Sequence, residues 1–174
     1  MAEFLKIPKD RVGVLVGKEG KTKAMLENKC KVKLNIGHEG DVSITSAEKD
    51  GYGEWKALSV VKAIGRGFNP KYAILILKED YVLSIINLYD VLNRKDADVK
   101  RVKGRVIGEK GKAWKTIEAL TNSKMAVYGR TIGIIGMESD VALCEQAIQM
   151  IIDGARHQSV YAFLERSGNK RLGV

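Results

Sequence analysis

The sequence predicts an α+β protein built from two copies of one β-α-α-β-β-α unit. A nine-residue pattern, in which an apolar pair leads into a Gly-x-x-Gly loop and a lysine, occurs at residues 13–21 and again 91 positions later at residues 104–112. The match continues downstream, where Leu26-Glu27 has the same offset as Ile117-Glu118. Similarity that persists at a fixed offset indicates a duplicated domain.

The elements of the first copy follow from hydrophobic period and turn residues. Alternating apolar residues predict strands, and apolar residues three or four positions apart predict helices. Pro8 can open a helix, and the cluster 37–40, Gly-His-Glu-Gly, predicts a turn between two strands. The predicted elements are a strand at 4–7, a helix continued by 11–16, a helix at 21–29, strands at 32–36 and 42–45, a polar stretch at 49–51 and a helix at 54–66.

The second copy repeats this order with one insertion. A polar loop at 92–98, which the first copy lacks, is predicted between the first strand and the first helix. The segment 124–127 returns at nearly the same offset from 31–34. The predicted elements are a strand at 82–88, helices at 99–107 and 113–121, strands at 125–128 and 131–135, and a long amphipathic helix at 141–154.

Turn and capping residues divide the chain into four predicted segments. Asn69-Pro70 is typical of a helix start and predicts a short connecting helix, although the five apolar residues at 73–77 also fit a buried strand. Residues 160–165 predict a terminal helix or turn. The predicted segments are a first domain at 1–68, a connection at 69–80, a second domain at 81–165 and a loose basic tail at 166–174.

Composition and charge favour a polyanionic partner. The 174 residues are 45% hydrophobic, which is ample for two small cores, and they carry a formal net charge of +9. Both copies are cationic, and residues 94–115 hold nine basic side chains against three acidic ones. Most charge runs are only solvated surface. This run leads directly into the second glycine loop, which favours binding to nucleic acid.

The glycine loops suit a phosphate backbone. Glycine removes the Cβ atom where a backbone must approach another group closely. The amides that open the following helix, with Lys21 or Lys112 in its first turn, add partial and full positive charge. Such a site attracts anions without reading a base.

This element order, with Gly-x-x-Gly between the first two helices, resembles the type I KH domain, whose loop clamps about four nucleotides of single-stranded backbone. The chain resembles two such domains in tandem, each a three-stranded antiparallel sheet packed on three helices. More narrowly, it resembles the archaeal and eukaryotic Dim-type pre-rRNA processing factors of the Krr/partner-of-Nob family. The segments that carry this resemblance are GRVIGEKGK at 104–112, IEALT at 117–121, VYG at 127–129, IIG at 134–136, HQSVYAFLE at 157–165 and, in the first copy, the loop with residues 65–70.

The family resemblance implies binding to single-stranded RNA near the 3′ end of 16S rRNA during small-subunit assembly, together with a Nob-type endonuclease. It implies two clamps, at residues 17–20 and 108–111. The groove floors would lie near Val16 and Leu34, or Ile107 and Val127. The chain lacks the long charged extensions of eukaryotic members, which favours an archaeal origin.

The loop tips depart from a purely cationic clamp, because each carries one carboxylate and one amine. The expected attraction therefore comes from neighbouring cations, which are more numerous in the second copy, and we expect that copy to make the tighter RNA contact. The predicted RNA-binding residues are Arg11, Gly17, Lys18, Glu19, Gly20, Lys21 and Lys23 in the first copy and Arg101, Lys103, Arg105, Gly108, Glu109, Lys110, Gly111, Lys112 and Lys115 in the second.

An enzymatic function is not predicted. A P-loop needs four residues between its glycines, whereas each loop here has two, and Ala113 replaces the metal-binding hydroxyl in the second copy. His38 and His157 have no Cys or His partner at ligand spacing. We therefore expect no cofactor, no metal and no small-molecule substrate.

Two other functions stay open: a protein-binding scaffold with a KH fold, and a generic RNA-binding regulator. Trp55 and Trp114 lie on predicted helices, where tryptophan is usually packed against a core rather than offered to a base. Cys30 and Cys144 are too few for a disulfide framework and are expected to be buried thiols in a reducing compartment. No apolar run is long enough for a membrane span, so we expect a soluble cytoplasmic protein.

Overall fold

The computed structural model describes residues 2–46, 51–171 and 173. The chain divides into two compact units, residues 1–79 and 80–174. Each unit contains a three-stranded antiparallel sheet in which the last strand in sequence is central, with the orders β1-β3-β2 and β4-β6-β5. The predicted α+β class and the two β-α-α-β-β-α repeats are confirmed. Residues 49 and 50 of the predicted polar stretch lie outside the described residues.

Unit one has the predicted order of elements. Short 3-10 turns precede α1 and form the glycine loop between α1 and α2. Side chains alternate along β3, so that Val42 and Ile44 are buried while Ser43 is partly exposed. The elements are β1 (Ala2–Lys6), α1 (Val12–Val16), α2 (Lys21–Cys30), β2 (Val32–Ile36), β3 (Asp41–Ser46) and α3 (Tyr52–Gly65).

The connection after α3 is helical, so the alternative of a buried strand was wrong. It consists of α4 (Pro70–Ala73) and a 3-10 turn at Ile74–Leu77. Asn69 caps α4, because its side-chain oxygen accepts a hydrogen bond of 3.0 Å from the backbone amide of Lys71. Both pieces pack against α3 within unit one.

Unit two repeats the architecture and adds a C-terminal helix. Its core includes five completely buried isoleucines of the sheet and helices, Ile117, Ile132, Ile134, Ile148 and Ile151. The elements are β4 (Tyr81–Asn87), α5 (Leu88–Val91), α6 (Asp96–Ile107), α7 (Lys112–Thr121), β5 (Lys124–Tyr128), β6 (Thr131–Met137), α8 (Glu138–Ile152) and α9 (His157–Arg171).

Two sequence predictions for unit two were wrong. The inserted loop does not extend over 92–98, because α6 begins at Asp96 and includes Asp98 in its first turn, where acidic side chains suit the helix dipole. The residues assigned to a tail from 166 continue α9 to Arg171. Val160 and Leu164 anchor this helix, since both are completely buried in the core of unit two. Residues 172 and 174 lie outside the described residues.

A glutamate at equivalent positions of α2 and α7 accepts a hydrogen bond from the edge strand that follows the helix. Glu27 Oε1 accepts a hydrogen bond of 2.8 Å from the backbone amide of Leu34, and Glu118 Oε1 accepts one of 2.8 Å from the amide of Met125. Leu34 is therefore structurally equivalent to Met125, and the two residues are separated by the same number of positions as the two glycine loops. The match of residues 31–34 with residues 124–127 in the sequence was wrong by two positions.

Both cysteines are free and buried, as expected. Burial raises the pKa of Cys144 to about 11, so its thiol stays protonated at neutral pH. Within the described residues, no helix is long and apolar enough to cross a membrane.

Candidate nucleic-acid interface

The two glycine loops have nearly identical backbone conformations. Gly17 and Gly108 have φ values of 76° and 72°, and Gly20 and Gly111 have 72° and 74°. The third loop residue is also left-handed, although it is not glycine: Glu19 has φ 54° and Lys110 has φ 52°. Such torsions disfavour side chains with a Cβ atom, so each loop holds one residue of local strain at its tip.

The two glycines of each loop have different roles. A Cβ atom on Gly17 would overlap Thr22 Oγ1, and one on Gly108 would lie 2.6 Å from Ala113 Cβ. The first glycine therefore lets the loop pack closely against the start of the following helix. By contrast, a Cβ atom on Gly20 or Gly111 would have no atom within 4 Å. The second glycine leaves open space beside the helix N-terminus, where a ligand backbone can approach.

The helix that follows each loop has no side-chain cap at its N-terminus. Within the described residues no side chain caps α2 or α7, although the amides of Lys21 and Lys112 donate to the carbonyl oxygens of Lys18 and Glu109 in the loops. The helix dipole and the later amides of the first turn therefore favour an anion at this position. Each helix has ten residues, and a lysine stands at its first position. Both loops thus offer the arrangement that binds a phosphate.

The charges at the two loop tips are arranged differently. In the first loop, Glu19 Oε2 lies 3.9 Å from Lys21 Nζ, and both side chains are exposed. In the second loop the charges exchange positions, and Lys110 occupies the left-handed tip. Within the described part of the chain, the exposed amines of Lys110, Lys112 and Lys115 form no ion pair. The second loop therefore keeps more cationic charge for a polyanion.

Two arginines predicted to bind RNA are instead used inside the fold. Arg11 donates to the carbonyl oxygens of Ile64 and Phe68 at 2.8 Å each. Arg105 donates to the carbonyl of Ile151 at 2.7 Å and also to that of Ala155. Ile64 and Ile151 lie in the last turns of α3 and α8, and Phe68 and Ala155 follow three residues after those helices end. Both guanidinium groups cap helices, and we leave them out of the proposed interface.

The remaining predicted cations lie at the surface. Lys103 Nζ donates to the carbonyl oxygen of Gly129 in the β5–β6 turn at 2.6 Å, and Arg101 lies 3.6 Å from Asp98 in an exposed ion pair. The exposed ion pair of Arg101 is weak, so this side chain can exchange partners. Lys23 lies in the first turn of α2 and is partly exposed.

The groove floor differs from the sequence assignment at one residue. Val16, Ile107 and Val127 are partly exposed, whereas Leu34 is completely buried. Because Leu34 corresponds to Met125, the residue of the first copy that matches Val127 is Ile36, which is partly exposed. The accessible residues that fit the predicted floors are therefore Val16 and Ile36 in the first copy and Ile107 and Val127 in the second.

One of the two tryptophans is packed against a core and the other is exposed to solvent. Trp114 packs against the core of unit two, as expected. Trp55 is 61% exposed, so the expectation of a packed side chain was wrong for it. The helical spacing of Ala57, Val60 and Ile64, all fully buried, places the buried face of α3 away from position 55.

The two histidines lie in different surroundings. His38 is exposed in the β2–β3 turn, and His157 Nε2 lies 2.7 Å from the carbonyl oxygen of Arg105 at the start of α9. Within the described residues, no group of three or more His, Cys, Asp or Glu side chains could hold a metal ion.

Comparisons with known proteins agree with this geometry. Residues 82–169 match the model of the eukaryotic type KH-domain (KH-domain type I), and residues 2–51 match the KH domain. The KH domain-containing protein MJ0443 of Methanocaldococcus jannaschii is 45% identical over 170 residues, which are 97% of this chain and 74% of that protein. The chain belongs to the Dim2/PNO1 family of two-KH-domain proteins.

Two further relatives represent the archaeal and eukaryotic branches of the family. A crystal structure of an a/eIF2alpha-aDim2p-rRNA complex from Pyrococcus horikoshii OT3 matches with a TM-score of 0.91 and 42% identity, over 98% of this chain and 95% of that one. The RNA-binding protein pno1 of Dictyostelium discoideum is 33% identical over 110 residues, which are 63% of this chain and 46% of that protein.

Proposed function

We propose that this protein binds single-stranded RNA through its two glycine loops and acts in small-subunit ribosome assembly near the 3′ end of 16S rRNA. One observation carries this proposal: both loops place an open glycine beside an uncapped helix N-terminus that begins with lysine. The Pyrococcus relative, which was solved in a complex with rRNA, supports the same class of ligand.

The loop geometry suggests how the RNA backbone is held. A phosphate can approach Gly20 or Gly111 without meeting a side chain and can accept hydrogen bonds from the first-turn amides of α2 or α7. Lys21 and Lys112 then neutralise part of its charge. The bases extend toward the apolar floors, where stacking and backbone hydrogen bonds select among them.

We propose that the second loop makes the tighter contact, because its lysines are not neutralised within the described residues. The matched experiment compares Glu109→Asp/Lys110→Asp with Lys18→Asp/Glu19→Asp, since each double variant exchanges one lysine for an aspartate and keeps a carboxylate at the other position. We expect the second-loop variant to lose on the order of 10-fold in affinity for single-stranded RNA, and the first-loop variant to lose less.

Fluorescence anisotropy with an RNA of the 16S 3′-end sequence measures both affinities, and circular dichroism checks that both variants remain folded. Equal losses in the two variants would remove the case for a dominant second loop. Undetectable binding of the unmodified chain at low salt would remove the RNA-binding proposal itself. Crosslinking to cellular RNA tests the location, and enrichment away from the 16S 3′ end would favour a generic RNA-binding regulator.

The proposed role is that of a non-catalytic binding partner for the nuclease that matures this RNA end. The test uses a precursor RNA that extends beyond the mature 3′ end of 16S rRNA. A Nob-type endonuclease should cut this RNA at the mature end more accurately when the protein is added. Added protein that leaves both the rate and the position of cleavage unchanged would contradict this partnership. ATP or GTP hydrolysis by the purified chain would contradict the non-catalytic role and revive the alternative of a nucleotide-binding enzyme.

Protein binding alongside RNA binding is the second candidate function, and the exposed aromatic residues of α3 favour it. Trp55 is 61% exposed and Tyr52 is exposed one turn earlier on the same helix. Aromatic residues are enriched at the centres of protein interfaces. The Pyrococcus relative was solved together with a/eIF2alpha, which supports a protein partner. Trp55→Ala should then weaken protein binding while RNA affinity is unchanged.

A further inference from the structure

An open groove borders the sheet of unit one at the end that carries the β2–β3 turn. It encloses about 730 Å³. All three strands, the turn and α2 contribute to its lining. The side chains that matter for its chemistry are Phe4, Lys6, Lys23, Asn35, Ile36 and Ser43.

Phe4 is the most unusual of these residues, because it is 74% exposed. The antiparallel register places Phe4 opposite Ser43 and Ser43 opposite Asn35, so the three residues form one row across the sheet. The flanking residues Val42 and Ile44 of β3 are buried on the helical side. Since side chains alternate along a strand, the row of Phe4 lies on the opposite, open face.

The polar groups beside Phe4 are available to a ligand. Within the described part of the chain, the side chains of Asn35 and Ser43 make no hydrogen bond. An amide and a hydroxyl can both donate to and accept from the edge of a base. Lys6 and Lys23 outnumber Asp41, the one acidic residue of the lining, and the contact of 3.8 Å between Lys6 and Asp41 is exposed and weak. An aromatic face with spare amide, hydroxyl and ammonium groups fits a nucleotide.

The groove shares two lining residues, Lys23 and Ile36, with the proposed RNA path of the first copy. Lys23 lies two residues after Lys21, in the first turn of the helix that follows the glycine loop. Ile36 is the floor residue of that copy, and it lines the same groove. An RNA strand that is held by the glycine loop and lies on Ile36 can therefore reach the open face of the sheet by passing the β2–β3 turn.

We infer that this groove is an additional RNA subsite, in which a base stacks on Phe4 while Asn35 and Ser43 bind its edges. The inference rests on the proposed RNA-binding function and extends the path of the first copy beyond the clamped segment of about four nucleotides. The second copy lacks the subsite. The residue that corresponds to Asn35 is Ala126, which is 4% exposed and has no side-chain hydrogen-bonding group.

The test uses the full chain carrying Glu109→Asp/Lys110→Asp, so that binding reports mainly on the first copy. Affinities for RNAs of four and of eight nucleotides are measured by fluorescence anisotropy. We expect Phe4→Ala to weaken binding of the longer RNA on the order of 10-fold and to leave the shorter RNA unaffected, whereas Phe4→Trp retains binding of both. Trp55→Ala is the matched control, because it removes another exposed aromatic side chain that lies outside the groove.

Crosslinking gives an independent readout. An eight-nucleotide RNA with 5-iodouridine outside the clamped segment should crosslink to the peptide that contains Phe4. Four results would overturn the subsite: crosslinks confined to loop peptides, unchanged affinity of Phe4→Ala for the longer RNA, equal loss for both RNAs, or no binding of the shorter RNA in this background. Failure of the unmodified chain to bind either RNA would instead refute the proposed function.

Discussion

At the scale of single residues, the glycines of each loop separate a packing role from a binding role. Gly17 and Gly108 lie against the next helix, whereas Gly20 and Gly111 face open space. All four have positive φ, so a substitution to alanine carries a backbone cost at every position, on the order of 1 to 3 kcal/mol. Only the first glycine adds a steric overlap to that cost.

The two kinds of glycine should therefore respond differently to alanine. We expect Gly17→Ala to lower the melting temperature clearly more than Gly20→Ala, because only the former forces Thr22 to move. Gly20→Ala should instead lower RNA affinity while the fold is largely kept, since its methyl group occupies the space proposed for the RNA backbone. Calorimetry and anisotropy on the same samples measure both effects. A larger loss of stability for Gly20→Ala would contradict the division of roles.

At the scale of elements, the long helix that follows the sheet in each unit has its C-terminal end capped by the guanidinium group of an arginine from an earlier element. Arg11 precedes α1 and caps α3, whereas Arg105 lies in α6 and caps α8. The two arginines are not at equivalent positions in the repeat, because Arg105 corresponds to Val14. The same requirement, partners for the last carbonyls of a buried helix, is met by different residues in the two copies.

This capping role predicts a separation between stability and binding. Arg11→Met should lower the free energy of unfolding by about 2 kcal/mol, because two carbonyl oxygens lose charge-assisted hydrogen bonds, and should leave RNA affinity nearly unchanged. Lys23→Met is the matched comparison and should show the reverse, with weaker RNA binding and little change in stability. Urea unfolding and anisotropy measure the two quantities. Similar losses of RNA affinity in both variants would return Arg11 to the interface.

At the scale of the whole molecule, the positive charge belongs to both units but is not equally available in each. The chain has a formal net charge of +9. Part of it is used by internal contacts such as those of Arg11 and Arg105, and part by surface pairs such as Lys9 with Glu39 at 2.7 Å. The affinity for a polyanion depends on the charges that remain.

The salt dependence of RNA binding measures how many cationic side chains are available to contact phosphates. For single-stranded RNA, the logarithm of the binding constant should fall linearly with the logarithm of salt concentration, with a slope of about −0.7 for each phosphate contacted. We expect Glu109→Asp/Lys110→Asp to reduce the magnitude of that slope by about one phosphate, and Lys18→Asp/Glu19→Asp to reduce it less. A slope that neither variant changes would show that the loops do not contact phosphates.

Much of the fold and part of the site could be predicted because the signals are local. The β2 strand was predicted at its exact bounds, and both loops were recognised from glycine spacing alone. The extent of α9 was missed, because Val160 and Leu164 reveal their buried face only against the other helices of unit two. The residue of the second copy that corresponds to Leu34 was assigned wrongly, because the correspondence is defined by a hydrogen bond between Leu34 and Glu27 of the preceding helix.

The amino-acid sequence by itself determined the duplication, the order of elements and the two loops that need left-handed torsions, because period and glycine spacing act over a few residues. Only the tertiary structure decided which cations are free. Arg11 meets its acceptors more than 50 positions away along the chain. The row of Phe4, Ser43 and Asn35 likewise exists only when three strands align. Charged and aromatic side chains can bind a ligand only where the packing of the folded chain leaves them accessible.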